Sequence, residues 1–268
     1  MNIARDFDLN AISPSFIENP YPTLDMLRQE SPVHENSDGS IYLTRYQDCL
    51  AVYRSRDMLS DKTEAFGEKF GQCPLLEHHT TSLIFNDPPY HTVVRKLISG
   101  AFTPRKLREM EALIETIVDD LLDTIAEQNT IDMVADFGTI LPTEIISFML
   151  GIPKEFRQKL RGYSISILGA LDPVVSNERM HAGNQAVSEF SEILNDLINY
   201  RRENPDSAQQ GEVLENLIFG EHEGRKLDQK ELIQNCIFLL NAGHETTTSL
   251  VSNSVSLFLD HPEQHRKL

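Results

Sequence analysis

Between Asp228 and Pro262 the chain has room for one long element and little else. Asp228 and Glu231 stand at the spacing of a capping box, with Asp in place of Ser or Thr, and no proline follows until Asp260-His261-Pro262. Apolar residues recur at helical steps on both sides of the middle: Ile233, Ile237, Leu239 and Leu240 before it, Leu250, Val251, Val255, Leu257 and Phe258 after it. At 1.5 Å per residue such a helix runs on the order of 50 Å, enough to cross a whole domain. A chain carrying it must pack its other elements around it.

The centre of that helix breaks the pattern. Ala242-Gly243-His244-Glu245-Thr246-Thr247-Thr248 is poor helix chemistry. Gly costs about 1 kcal/mol relative to Ala, each Thr several tenths, and a Thr hydroxyl can bond back to the carbonyl four residues earlier. A local rule broken inside a consistent element is where function is expected. Small side chains at Ala242 and Gly243 let something flat approach the backbone, while Glu245 and Thr246 set a carboxylate beside a hydroxyl, the parts needed to pass protons. A kink whose polar groups are satisfied by neighbours accounts for the same residues. A zinc hydrolase does not: His244-Glu245 begins an HExxH pattern, but Thr248 occupies the second histidine position.

The rest of the chain reads as mainly α with a small β portion near the N-terminus. Val33 to Tyr46 reads as two short strands around Ser37-Asp38-Gly39-Ser40, and residues 60–86, which hold His78-His79, as a long loop with short helical pieces. Asp87 is a good N-cap with Pro88 at the first helical position, and Thr103-Pro104 repeats the arrangement. Leu107 to Ile125 is amphipathic, and further helices are expected around 140–150, 154–170 and 180–203, the last ended by Asn204-Pro205.

Forty-one acidic residues against twenty-four basic ones give a net charge of −17, a field that works against binding nucleic acid or anionic lipid. One stretch opposes it: Pro88 to Arg108 holds Arg95, Lys96, Arg105, Lys106 and Arg108 and no acid. The first thirty residues carry too many charges for a signal peptide or anchor, so a cytoplasmic protein without membrane association is expected. Cys49, Cys73 and Cys236 share no spacing that suggests a disulfide framework or a cysteine zinc site.

Ala242-Gly243-His244-Glu245-Thr246-Thr247 resembles the oxygen-binding segment of the cytochrome P-450 family, usually written AGxET or AGxDT. Asp87-Pro88-Pro89-Tyr90-His91-Thr92-Val93-Val94-Arg95 is similar to that family's DPPxHxxxR segment. The 155-residue step from Asp87 to Ala242, the Asn19-Pro20-Tyr21-Pro22 opening, the Phe102-Thr103-Pro104 turn and His261-Pro262-Glu263-Gln264 keep the family's order. The resemblance implies the N-terminal two-thirds of the cytochrome P-450 fold and a heme b cofactor. By it, His91 and Arg95 meet the haem propionates, which agrees with two donors four residues apart on one helix face. It lays Ala242 and Gly243 over the porphyrin, gives Thr246 a hydrogen bond to the iron-bound oxygen and Glu245 a part in proton relay. Substrate is expected at Leu83 and Phe85 with Ile84 between them, in the 165–175 region, and at Phe238 and Leu239. The implied activity is a monooxygenase of soluble bacterial type that inserts one oxygen atom from O2 into an apolar small molecule. Its electrons would come from a ferredoxin or flavodoxin-type donor docked on Arg95, Lys96 and Arg105. Tyr90 and Val93-Val94 depart from the commonest form of the motif without touching these roles.

The thiolate such an enzyme needs lies, in the family, in FxxGxxxCxG after the long helix. None of the three cysteines fits: Lys69 and Leu75 occupy the glycine positions around Cys73, Cys236 is inside the long helix, and Cys49 has no matching flank. Glu263-Gln264-His265-Arg266 has ExxR spacing but follows the helix directly and matches another segment. Residues 1–268 are therefore expected to be one incomplete domain that is inactive alone, with uncovered apolar surface, weak stability or self-association, and no thiolate-type spectrum with carbon monoxide. The rival reading is a non-catalytic helical binding or interaction protein derived from the same fold. Coding DNA beyond Leu268 separates the two: an ExxR followed by FxxGxxxCxG favours the enzyme, a natural stop codon the rival.

Overall fold

The computed structural model describes residues 6–172, 174–209 and 211–267. They divide into two compact units, one of residues up to Ser60 together with Leu171–Ser176, the other of Asp61–Ala170 and Asn177 onward.

In the smaller unit, α1 (Pro14–Glu18) and α2 (Tyr21–Glu30) precede a two-stranded antiparallel sheet, β1 (Val33–Glu35) and β2 (Ile41–Leu43), and α3 (Tyr46–Arg54) follows it. The register pairs Val33 with Leu43, His34 with Tyr42 and Glu35 with Ile41. Gly39 takes φ +80° in the connection, a conformation that disfavours any side chain, and Asp38 Oδ1 accepts from Ser40 N at 2.9 Å. The expected hairpin is therefore present. Phe7 fills the unit's interior against Phe16, His34 and Tyr42, and its carbonyl lies 2.7 Å from His34 Nε2.

Among its described residues the larger unit is built of helices, with one isolated antiparallel bridge between His222 and Arg225. It contains α4 (Thr63–Phe70), α5 (Pro74–Thr81), α6 (Tyr90–Ala101), α7 (Pro104–Glu109), α8 (Glu111–Ala126), α9 (Ile140–Met149), α10 (Lys154–Gly169), α11 (Asn177–Glu203), α12 (Leu214–Phe219), α13 (Gln229–Asp260) and α14 (Pro262–His265). A 3-10 turn at Leu83–Phe85 joins α5 to α6, and a π-helix at Met133–Gly138 precedes α9. Of the 165–175 region, residues through Gly169 close α10, and Pro173 lies outside the described residues.

α13 is the axle. Both bonds of its capping box are made, Glu231 N to Asp228 Oδ1 at 2.8 Å and Asp228 N to Glu231 Oε2 at 3.0 Å, and the helix runs 32 residues to the stop before Pro262. Its N-terminal half is buried against α9, α10, α11 and α5, with Leu232, Cys236, Ile237 and Leu240 fully enclosed. Phe190, Leu194 and Ile198 of α11 complete the core beside Leu160 and Ile167 of α10, and Tyr163 stacks on Phe190.

Two expectations need correction. Residues 60–86 are more helical than loop, because Phe66 and Phe70 of α4 pack with His79 of α5 and Phe85 into one aromatic cluster. Tertiary packing there overrides the weak propensity of a stretch containing Gly67 and Gly71. The helix after Asp87 starts at Tyr90, with Pro89 and not Asp87 at its cap. A residue preceding proline is pushed out of the α region, so Pro88, which precedes Pro89, is disfavoured at the first helical position that a cap at Asp87 would give it. Asp87 instead accepts from Asp61 N at 2.9 Å and, through its carbonyl, from His91 N. Thr103 caps α7 as expected, its hydroxyl oxygen accepting from Lys106 N.

Candidate functional site

α13 stays helical through the interruption, and the side chains sort by direction. Thr246 Oγ1 donates to Ala242 O at 2.7 Å, the back-bond expected of a helical threonine. Ala242, Glu245 and Thr246 are exposed, Gly243 and Thr247 half-buried, and His244 buried. An exposed strip of small and proton-bearing side chains thus opens midway along a helix whose residues Glu231–Ile237 are all buried. Exposure of these residues to bulk solvent runs against a turn enclosed beside a cofactor, so in this chain the strip stands uncovered.

The reverse of the strip explains why it can be polar. Gly243 lies against Ile146 of α9, where an added Cβ would sit 3.5 Å from Ile146 Cδ1. A side chain as small as alanine would meet only ordinary van der Waals contact there, so the packing of α13 on α9 does not by itself require glycine.

The substrate-side candidates come together at the N-terminal half of α13. Leu83 N donates to Asn235 Oδ1 at 3.0 Å, which clamps the Leu83–Phe85 turn to that helix. Leu83 is buried, while Phe85, Phe238 and Leu239 are half-buried; Phe238 and Leu239 pack on the core. α6 packs on the same turn and on α12. His91 on α6 is half-buried and Arg95 is exposed, and among the described residues neither side chain has a hydrogen-bond or ion-pair partner. Two donors one helical turn apart are thus free to meet an anionic ligand.

Of the basic stretch, Arg95, Lys96 and Arg108 are exposed. Arg105 pairs with Glu109 at 2.9 Å on the surface, and Lys106 is committed to Glu212 O at 2.9 Å. None of the cysteines stands on the strip. Burial among the core side chains pushes the Cys236 thiol up to about 12, which keeps it protonated. Cys73 caps α5, and Cys49 belongs to α3.

Sequence reasoning missed several contributors. Tyr90, a departure from the usual motif, donates its hydroxyl to Thr81 O at 2.8 Å and carries Arg225 over its ring, fixing the start of α6 to the end of α5. Burial and the nearby Glu231 carboxylate push its phenol well above the ordinary range, so it stays protonated. His78 bonds to Gln234 Oε1 of α13 at 3.1 Å, and His79 Nε2 is buried in the aromatic cluster. Burial holds both imidazoles neutral, at about 4 and about 3. An adjacent histidine pair inside a stretch of aromatic residues was the available signal.

Among the described residues no single helix is long and apolar enough to cross a membrane. Comparison with known proteins bears directly on the site. The chain is 32% identical over 260 residues to vitamin D(3) 25-hydroxylase of Pseudonocardia autotrophica, covering 96% of this chain and 62% of that protein. It is 31% identical over 265 residues to the biotin biosynthesis cytochrome P450 of Bacillus subtilis strain 168, covering 96% and 64%. Its fold superposes on P450BioI, solved in complex with an acyl carrier protein ligated to hexadec-9Z-enoic acid, with a TM-score of 0.85 at 30% identity, covering 96% of this chain and 66% of that one. The chain thus spans a little under two thirds of the length of the relatives it matches. The match of the cytochrome P450 family over residues 55–268 takes in the Asp87–Arg95 segment, the polar turn of α13 and the helices that carry them, and with these relatives it makes this chain a member of that haem-binding family.

Proposed function

We propose that the protein is a haem-dependent monooxygenase of the soluble, cytoplasmic bacterial type that inserts one oxygen atom from O2 into an apolar small molecule. Residues 1–268 would then be an incomplete portion of one domain, inactive alone. The observation that carries this reading is the cytochrome P450 family match over residues 55–268, which takes in both Asp87–Arg95 and the Ala242–Thr246 turn of α13.

The residues present fit the edge and face of a haem. His91 and Arg95 have uncommitted donors four residues apart, suited to two propionate carboxylates. Ala242 keeps the helix surface low on the exposed side, so a flat macrocycle can approach the backbone there, while Gly243 faces Ile146 of α9. Haem, when bound, supplies the redox chemistry that activates dioxygen. The chain's own part is to place protons. Thr246 holds its hydroxyl proton on Ala242 O, one rotamer from the strip, and Glu245 is the carboxylate that refills it from solvent. Leu83, Phe85, Phe238 and Leu239 supply the apolar wall that orients a substrate. An iron thiolate is not among these parts, since Cys236 is held protonated in the core and neither Cys49 nor Cys73 lies on α6 or α13.

An apolar substrate accords with what relatives carry: hexadec-9Z-enoic acid on a carrier protein in one structure, myristic acid in a second and epothilone D in a third. Electrons would come from an acidic ferredoxin or flavodoxin-type donor on Arg95, Lys96 and Arg105. The three cations are exposed in a chain of net charge −17, so the patch is the complement of an acidic partner.

Haem titration of this polypeptide, followed at the Soret band, tests the reading. Loss of a charge-assisted hydrogen bond weakens binding by roughly 10- to 100-fold, so His91→Ala and Arg95→Ala should each do so. Unchanged affinity in both variants refutes the propionate assignment. A thiolate-type spectrum with carbon monoxide from the unmodified chain refutes the claim that its cysteines do not serve the iron.

A further inference from the structure

α10 and α11 pack against each other, and between them the larger unit holds an open groove of about 620 Å³. Its bed is apolar: Phe156 from α10, Ile193 and Leu197 from α11, with Tyr200 standing 54% exposed toward the end of α11. Glu189, Glu192 and Asp196 line it as well. Sequence spacing produces this division. Residues 189, 192, 196 and 200 follow one another by three or four positions along α11, and 193 and 197 form the neighbouring row. A charged row thus runs beside an apolar one. Among the described residues none of α6 or α13 lines the groove, so it is separate from the polar turn.

One of the carboxylates is held in place. Glu189 Oε2 accepts from the Tyr163 hydroxyl at 2.7 Å, and its Oε1 accepts from Gln185 Nε2 at 2.7 Å. Tyr163 is only 7% exposed and stacks on Phe190, so the donor beneath Glu189 is anchored in the core. These bonds, the one from Tyr163 foremost, keep the Glu189 carboxyl below its ordinary range. Each oxygen retains acceptor capacity for a donor in the groove. The cations among the described lining residues are Lys159 and Arg201, and Arg201 is paired with Glu212. Three carboxylates therefore stand against one ammonium. Among the described residues no three His, Cys, Asp or Glu side chains converge to hold a metal ion, so the charge is spread for an organic cation instead.

We propose that the groove binds an amphipathic amine, with its ammonium at Glu189 and Glu192 and its aliphatic or aromatic body along Ile193 and Leu197 toward Phe156 and Tyr200. Size and lining agree with this. Small-molecule sites measure about 300–1,000 Å³ and combine apolar walls with a few fixed polar groups. From Glu189 to Tyr200 the helix advances about 16 Å at 1.5 Å per residue, which suits an elongated molecule. The acidic row repels an anionic amphiphile such as a fatty acid. A neutral apolar molecule forgoes the charge-assisted bond to Glu189. The inference rests on neither haem nor the proposed monooxygenase chemistry.

Calorimetric titration of the chain with 4-phenylbutylamine, and with 4-phenylbutyrate as its oppositely charged counterpart, tests the site. The amine should bind saturably, and the carboxylate at least roughly 10-fold more weakly. Glu189→Gln keeps an acceptor for Tyr163 while removing the charge, so it should weaken amine binding by about 10-fold. Tyr200→Ala removes the exposed aromatic wall and should weaken it by about 2- to 10-fold. Equal affinity for the two probes overturns the proposal, as does amine binding that either variant leaves unchanged. The absence of saturable heat up to about 10 mM amine overturns it too.

Discussion

Arg201 and Glu212 form an ion pair at 2.7 Å with side chains only 7% and 2% exposed, so a charge substitution at either strands a buried partner. Arg201 also donates to Ser207 Oγ at 3.1 Å, while Lys106 Nζ donates to the Glu212 carbonyl. Burial pushes the Glu212 carboxyl up, and the Arg201 guanidinium offsets part of that. Removing either charge leaves the other buried, which costs about 3–5 kcal/mol. At roughly 2–4 °C per kcal/mol for a protein of this size, Glu212→Gln and Arg201→Met should each lower the Tm by about 6–20 °C at neutral pH. The two differ in their response to pH. Arginine cannot shed its proton, so Glu212→Gln is equally unstable in mild acid. In Arg201→Met the stranded carboxyl can be neutralised. A carboxyl whose folded-state value lies above its unfolded one favours folding below the unfolded value, and that contribution is lost as pH rises through the folded value. The deficit of Arg201→Met should therefore shrink on acidification by about 1.4 kcal/mol per pH unit inside that window. Thermal melts by circular dichroism at about pH 7.5 and pH 5 make the comparison. A loss under about 1 kcal/mol, or the same pH response in both variants, refutes the reasoning.

Gly151 takes φ +65°, and a Cβ there would lie 2.7 Å from Arg201 Nη2 and 2.9 Å from Glu212 Oε2; Gly151→Ala should cost about 1–3 kcal/mol in chemical denaturation, with an effect below 0.5 kcal/mol counting against it. Asp228→Ala removes the side chain that accepts from Glu231 N at the start of α13 and should lower stability by about 0.5–2 kcal/mol, read as a shift in the urea midpoint. His79 is held neutral down to about 3, against 6.5 for the free imidazole, so its stabilising contribution is complete above pH 6.5 and is lost as pH falls. His79→Phe, which suits the cage of Phe66, Phe70 and Phe85, should flatten the acid limb of a stability–pH curve by about 1.4 kcal/mol per unit, and an unchanged slope would count against that burial.

Features written in local chemistry were legible in the sequence. The capping box at Asp228, the Thr103 cap and the hairpin around Gly39 each need only neighbours within a few positions, and each forms as expected. Features that depend on distant partners were not. α4 is held by ring contacts from α5 and Phe85, and the Arg201–Glu212 pair joins the end of α11 to the loop after Pro205. The double proline misled for a local reason: Asp87 scored as a cap, while the geometry imposed by Pro88 and Pro89 delays the helix to Tyr90. At the site, the two motif segments were legible in the sequence, whereas the shared direction of the buried polar side chains was not. Asn241, His244, Thr248 and Ser252 read as ordinary polar punctuation until their shared direction is seen.

The uneven embedding of α13 has a mechanical consequence. Up to Asn241 the helix is gripped nearly all round, whereas Leu250, Leu257 and Leu259 lie 68%, 56% and 78% exposed. The element behaves as a beam fixed at one end, so thermal bending is concentrated beyond the polar turn. Amide protons should record it as slow exchange along Leu232–Leu240 that quickens stepwise toward Asp260.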